Sequence, residues 1–163
     1  MPLKLILMRH AKSSWDDPLQ SDHDRVLNAR GRDSAIALGK WLRKLEDVPD
    51  ETLSSSSQRT RETYELLGFD AEARFSRSLY LAGADLMLRE LQNATGKTVL
   101  MLGHNPGISE FAERLASKLP AHARFLDYPT CATTVFEFSS DNWQDVGFGQ
   151  GVVKAFAIPR ELI

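Results

Sequence analysis

Apolar residues are unevenly spaced along this chain, and their spacing separates strands from helices. Residues Leu3–Met8 read LKLILM, a nearly continuous apolar run that suits a strand covered on both faces of a parallel sheet. Residues Thr98–Leu102, TVLML, form a second run of that kind. Between His10 and Arg25 the chain is polar and reads as a long loop. Ala35, Leu38, Leu42 and Leu45 then recur at steps of three and four, which predicts an amphipathic helix from a cap at Asn28 to near Pro49. Further helices are predicted over Gln58–Leu67, stopped by Gly68, and over Ala84–Gln92. Another starts at Asn105-Pro106 and carries Ile108, Phe111, Leu115 and Leu119 on one face. Glu51–Leu53 and Ala73–Ser76 read as short strands, and Thr133–Phe138 and Val152–Ile158 as closing strands that pair with each other.

Strands alternating with helices predict an α/β fold, a three-layer α/β/α sandwich with a mostly parallel central sheet. The 163 residues fit one domain, 1–163, with no internal repeat and no linker long enough to divide it. A hydrophobic fraction of 42% supports a packed core and excludes a disordered chain. A formal net charge of −2 excludes a whole-surface field for nucleic acid or anionic membrane, so any anion site must be built locally. Cys131 is the single cysteine, which rules out an internal disulfide and Cys-rich zinc ligation and fits a reducing compartment. The apolar run Leu5–Met8 is too short for a secretory core or a membrane span, so a cytoplasmic location is expected.

Candidate chemistry gathers where predicted strands end, the edge at which open α/β sheets bind ligands. Three segments share that position: Arg9-His10, Ser54–Arg59 and Gly103-His104-Asn105-Pro106. They bring two imidazoles, two guanidiniums and two helix N-termini. An Arg fork grips two oxygens of one phosphoryl group, and helix N-termini present unpaired N–H groups to an anion. The ligand these groups share is a phosphoryl group.

Those segments resemble the histidine phosphatase superfamily, which includes cofactor-dependent phosphoglycerate mutases and many small phosphatases. Arg9-His10-Ala11-Lys12-Ser13-Ser14-Trp15-Asp16 is similar to the family's opening motif, with Ala11 where glycine is usual. Leu27-Asn28-Ala29-Arg30-Gly31 resembles its Leu-Thr-x-x-Gly element. Ser54 to Thr63 resembles its Ser-Ser-Pro-x-x-Arg-Ala-x-x-Thr element, with Ser56 for proline and Thr60 for alanine, and Gly103-His104-Asn105-Pro106 its second histidine motif. The four elements occur in order over most of the chain. Together with the short length and Asp24-Arg25 they look most like the small SixA-type branch, whose namesake activity is protein phosphohistidine dephosphorylation.

The resemblance implies a phosphoglycerate mutase-like fold and a hydrolase that works without metal or cofactor through a phosphohistidine on His10. It implies Arg9, Arg59 and His104 as catalytic partners, and Arg25, Ser13 and Asn105 as phosphate ligands. Family members that act on alkyl phosphates carry an acid after the third strand, and Asp85 is the candidate, with Glu72 and Glu90 less well placed. An imidazole leaving group, with a conjugate-acid pKa of about 6.5, departs more readily than an alkoxide. A weak or absent acid therefore favours a phosphorylated protein as partner over a small phosphate ester. Two alternatives stand beside this reading: a broad small-molecule phosphomonoesterase, and a catalytically silent phosphate-binding or interaction module. His23 and His122 read as surface residues, Trp15 as core or rim, Thr130 as part of a turn, and Cys131 as a non-nucleophile. A His10, His23, His104 zinc site is disfavoured because Arg9 would repel a cation.

Overall fold

The computed structural model describes residues 2–163. Six strands, β1 (Leu3–Arg9), β2 (Glu51–Ser55), β3 (Ala73–Ser76), β4 (Thr98–Gly103), β5 (Thr133–Phe138) and β6 (Val152–Ala157), form one sheet in the order β3-β2-β4-β1-β5-β6. The pairs β3-β2, β2-β4 and β4-β1 are parallel, while β5 runs antiparallel to both β1 and β6. The fold is thus a mixed, mostly parallel α/β sandwich, as the alternation of strands and helices predicts. β1 lies inside the sheet and is covered on both faces, which is why its sequence is apolar almost throughout. Leu3, Leu5 and Leu7 face one core with Val99, Met101, Phe111 and Phe136, whereas Ile6 and Met8 face another with Leu38, Leu42, Leu67 and Leu102.

Four α-helices supply the two outer layers: α1 (Ala29–Lys44), α2 (Gln58–Leu67), α3 (Ala84–Gln92) and α4 (Gly107–Leu115). α1 and α2 cover the Ile6/Met8 face, and α3 and α4 the Leu5/Leu7 face. Asn28 caps α1 by accepting the Gly31 N–H at 2.8 Å, and Gly68 ends α2 in the left-handed region at φ 78°. α1 stops at Lys44, short of Pro49, because Leu45 and Glu46 turn the chain and Glu46 adopts φ 62°.

The last predicted helix is shorter than its apolar spacing implied. Ala116 leaves the helix for extended geometry and bridges to Gly151, and the Ser117 N–H donates to the Gly151 carbonyl at 2.7 Å. Leu119 therefore lies beyond α4 and is exposed. Asn105 also sits one residue outside the expected cap position: Pro106 is the N-cap, although the Asn105 side chain still accepts the Ser109 N–H at 3.2 Å.

Three neighbouring strands, β2, β4 and β1, end at the same edge of the sheet. Because β5 is antiparallel to β1, its first residues also lie there, with Thr133 opposite Met8. Everything at this edge can converge on one cavity. No described helix is long and apolar enough to cross a membrane.

Candidate active site

At the strand-end edge lies a cavity of about 420 Å³. Arg9, His10, Ser13, Arg25, Arg59, His104 and Asn105 all line it, so seven of the residues singled out in the sequence meet in one place. Asp85 does not. It lies in the first turn of α3, exposed to solvent, and pairs with Arg114 at 3.4 Å. Glu72 and Glu90 are also absent from the lining.

The backbone around His10 is held from several sides. Its N–H donates to the Gly103 carbonyl at 3.1 Å, and its carbonyl accepts the Cys131 N–H at 2.9 Å. The next N–H, of Ala11, donates to Thr63 Oγ1 at 3.0 Å, which gives the final threonine of the Ser54–Thr63 element its purpose. The Leu27–Gly31 element fixes the loop that follows: the Asn28 N–H donates to the Lys12 carbonyl at 3.1 Å. A Cβ on Gly31 would lie 2.0 Å from that carbonyl oxygen, so only glycine permits this approach.

His10 is 6% exposed, and its Nδ1 lies 2.7 Å from the Ala11 carbonyl, which can only accept. Nδ1 therefore carries the proton in the neutral ring, and the lone pair sits on Nε2. Burial holds the His10 pKa well below 6.5, and the positive charges of Arg59 and Arg9 and the neighbouring His104 push the same way. The two imidazoles lie 5.2 Å apart, centre to centre. Arg59 Nη2 contacts His104 Nδ1 at 3.2 Å, and since a guanidinium only donates, His104 bears its proton on Nε2, 2.8 Å from Ser55 Oγ. Burial first, then Arg59, brings the His104 pKa down to about 3.

Asp22 organises the guanidiniums. Arg59 donates to its backbone carbonyl at 2.6 Å and to Oδ2 at 3.0 Å, and Arg25 donates to Oδ1 at 3.0 Å. The Tyr80 hydroxyl donates to Oδ2 as well. Partial burial works against ionisation of Asp22, but these hydrogen bonds and the Arg59 charge outweigh it and hold the carboxyl well below the usual range. Arg25 is further fixed by Ser13 Oγ, by the Ser14 carbonyl at 3.1 Å, and by the exposed Trp15 ring, whose centre is 3.3 Å from the guanidinium carbon. Arg9 donates to the Tyr128 carbonyl at 3.2 Å, while its buried Nε has no partner among the described residues. Asn105 Nδ2 donates to the Asp127 and Tyr128 carbonyls.

Sequence reasoning missed Tyr80, gave Asp22 and Ser55 no site role of their own, and read Thr130 as part of a turn. Tyr80 packs edge-on against both His104 and His23, at 5.4 Å and 4.8 Å between ring centres. His23 is half-buried rather than a surface residue, with Nε2 2.8 Å from Ser56 Oγ. Thr130 lines the cavity because β5 starts at the same sheet edge. Cys131 is buried and its thiol is pushed up to about 12 by burial, so it is not a thiolate at neutral pH.

Arg9, Lys12, Arg25 and Arg59 face the cavity against one carboxylate, Asp22. The arrangement suits a small, multiply charged oxyanion beside an unprotonated imidazole nitrogen. The sequence signature of the histidine phosphatase superfamily (branch 1) matches residues 5–79. An uncharacterized protein of Mycobacterium tuberculosis is 34% identical over 160 residues, covering 94% of this chain and all of its own. An uncharacterized chloroplastic protein of Arabidopsis thaliana is 34% identical over 157 residues, 87% of this chain and 69% of that one. Among solved structures, a candidate phosphohistidine phosphatase SixA from Nakamurella multipartitia superposes with a TM-score of 0.86 at 27% identity, covering 98% and 97% of the two chains. The protein histidine phosphatase SixA complexed with tungstate shares the fold, with a TM-score of 0.81 at 21% identity over 99% and 100% of the chains. The chain belongs to the histidine phosphatase superfamily. Within it, the chain is SixA-type, with phosphatase chemistry of the histidine type.

Proposed function

We propose that this protein removes the phosphoryl group from phosphohistidine on another protein, without a metal. The observation that carries the substrate choice is the carboxylate inventory of the cavity. Its single carboxylate, Asp22, is held ionised by Tyr80, Arg59 and Arg25, and Asp85 lies outside the lining. No carboxylic acid among the lining residues can protonate a departing alkoxide, so substrates whose leaving group departs unaided are favoured.

His10 Nε2 attacks phosphorus in line. The new N–P bond forms as the bond from phosphorus to the substrate imidazole breaks, and the electron pair stays on that imidazole, which takes a proton from solvent. A water oxygen then attacks phosphorus, the bond to His10 breaks, and phosphate leaves. Arg9, Arg25 and Arg59 spread positive charge over the non-bridging oxygens, with Ser13 and Asn105 positioning this wall. His104 orients Arg59 while neutral. The incoming dianion raises its pKa, and the proton it then gains makes it a second donor to the growing oxygen charge.

The test is a panel of phosphohistidine protein, phosphoramidate, aryl phosphate and sugar phosphate in chelator-treated buffer. kcat/KM should fall steeply along that order and survive chelation, and Asp85→Asn should change phosphoramidate turnover less than about twofold. Preference for sugar phosphate, removed selectively by Asp85→Asn, would replace this reading by the broad phosphomonoesterase. Activity lost to chelator and restored by metal would overturn metal independence.

A further inference from the structure

A second cavity, of about 240 Å³, adjoins the first and shares Lys12 and Thr130 with it. Arg30, Arg124 and Arg160 join Lys12 in its lining, so four cations converge on a small space in a chain whose net charge is −2. No carboxylate lines it. Arg124 is paired with Asp127 at 2.9 Å, but Lys12, Arg30 and Arg160 have no carboxylate within 4.0 Å among the described residues. Like charges brought together without counter-ions repel one another, and an anion placed between them removes that repulsion.

The supports of these side chains are fixed. Lys12 belongs to the loop pinned by Asn28 and Gly31, Arg30 lies in the first turn of α1, and Arg160 lies in the short 3-10 helix Pro159–Glu161. Ile158 and the rings of Pro129 and Pro159 form an apolar wall beside the charges. A cavity lined by both cations and apolar residues fits an extended polypeptide bearing a carboxylate, whose two oxygens accept from a guanidinium fork.

We propose that this cavity is a second anion subsite that binds an Asp or Glu side chain next to the phosphohistidine in the protein substrate. The proposal rests on the phosphohistidine reading and adds the sequence context that the enzyme selects. Arg30 and Arg160 line only the outer cavity, whereas Lys12 borders both, so the first two are the residues to change.

Two phosphohistidine peptides that differ only in flanking Glu against Gln should be compared on wild type and on an Arg30→Gln/Arg160→Gln double variant, with phosphoramidate as the small substrate. Wild type should favour the acidic peptide about two- to thirtyfold in kcat/KM, through KM, as expected for two solvent-open charge pairs. The double variant should lose that preference, keep its phosphoramidate rate, and show a weaker salt dependence. Equal rates on the two peptides with wild type, or a preference that survives in the double variant, would overturn the proposal. A second readout separates this failure from failure of the substrate reading: unphosphorylated acidic peptide should inhibit aryl phosphate turnover by wild type better than its Gln counterpart, even if phosphohistidine is not a substrate. Pyrophosphate inhibiting through Arg30 and Arg160, with no difference between the peptides, would assign the subsite to a second phosphate of a small molecule and refute the peptide.

Discussion

Replacing Arg59 by lysine keeps one positive charge and removes a planar fork, so it separates charge from geometry. The guanidinium is 4% exposed and makes three directed contacts: to the Asp22 carbonyl at 2.6 Å, to Asp22 Oδ2 at 3.0 Å and to His104 Nδ1 at 3.2 Å. An ammonium on a flexible stem cannot reproduce two parallel N–H bonds together with the third. Loss of one preorganised donor to transition-state charge typically costs roughly 10²–10³ in kcat, or about 2.7–4 kcal/mol. Global stability should change far less. Lysine leaves a positive charge beside Asp22, whose side chain is 44% exposed and open to water, so no charge is stranded without a partner. Steady-state phosphoramidate hydrolysis, set beside urea unfolding, gives both quantities on one preparation. The acid limb of kcat/KM adds a third readout: without the guanidinium N–H donating to Nδ1, the nitrogen that must take the proton is freed, and the titration of His104 should move up from about 3. Activity within threefold of wild type in a folded Arg59→Lys protein would refute the clamp.

Stability should fall with acid earlier than carboxylates alone would make it. His104 has a folded pKa of about 3 against 6.5 when exposed, and His10 is shifted in the same direction. Below pH 6.5 the unfolded chain therefore binds protons that the native state does not, and the unfolding free energy should drop by about 1.4 kcal/mol per pH unit for each histidine. Urea midpoints at pH 7, 6 and 5 should show this, and a curve flat over that window would contradict buried neutral rings. Gly31→Ala should cost at least about 1–3 kcal/mol, because its methyl group would meet the Lys12 carbonyl at 2.0 Å. It should also lower kcat by displacing the loop behind His10, and a fully stable, fully active variant would exclude that packing role.

The helices and strands were legible because most of them obey one period. LKLILM is apolar throughout because both faces of β1 are covered, and α1 shows its stripe because one face meets solvent. The four motifs were legible because each occupies a turn fixed by local backbone needs, as with the Gly31 contact and the Ser57 cap on the Thr60 N–H. Asp22 was not, since in sequence it is one of several acidic residues in a polar loop, and only folding sets it against Arg59, thirty-seven positions away. Tyr80 and Ser55 depend in the same way on the packing of β2 and the segment after β3 around His104. The sense of β5 was hidden too, since an apolar run does not state its direction, and that sense brings Thr130 to the cavity. The end of α4 at Leu115 escaped periodicity because Ala116 and Ser117 are captured by Gly151, a partner distant in sequence.

The central claim is that His10 Nε2 carries the phosphoryl group between substrate and water. Brief reaction with 32P-labelled phosphoramidate, alkaline quench to preserve the N–P bond, and peptide mapping by mass spectrometry test it most directly. The account predicts label on His10, at the nitrogen opposite the one bonded to the Ala11 carbonyl, and none in His10→Ala. Label on His104, on Ser54–Ser57 or on Cys131, or undiminished turnover in His10→Ala, would contradict it.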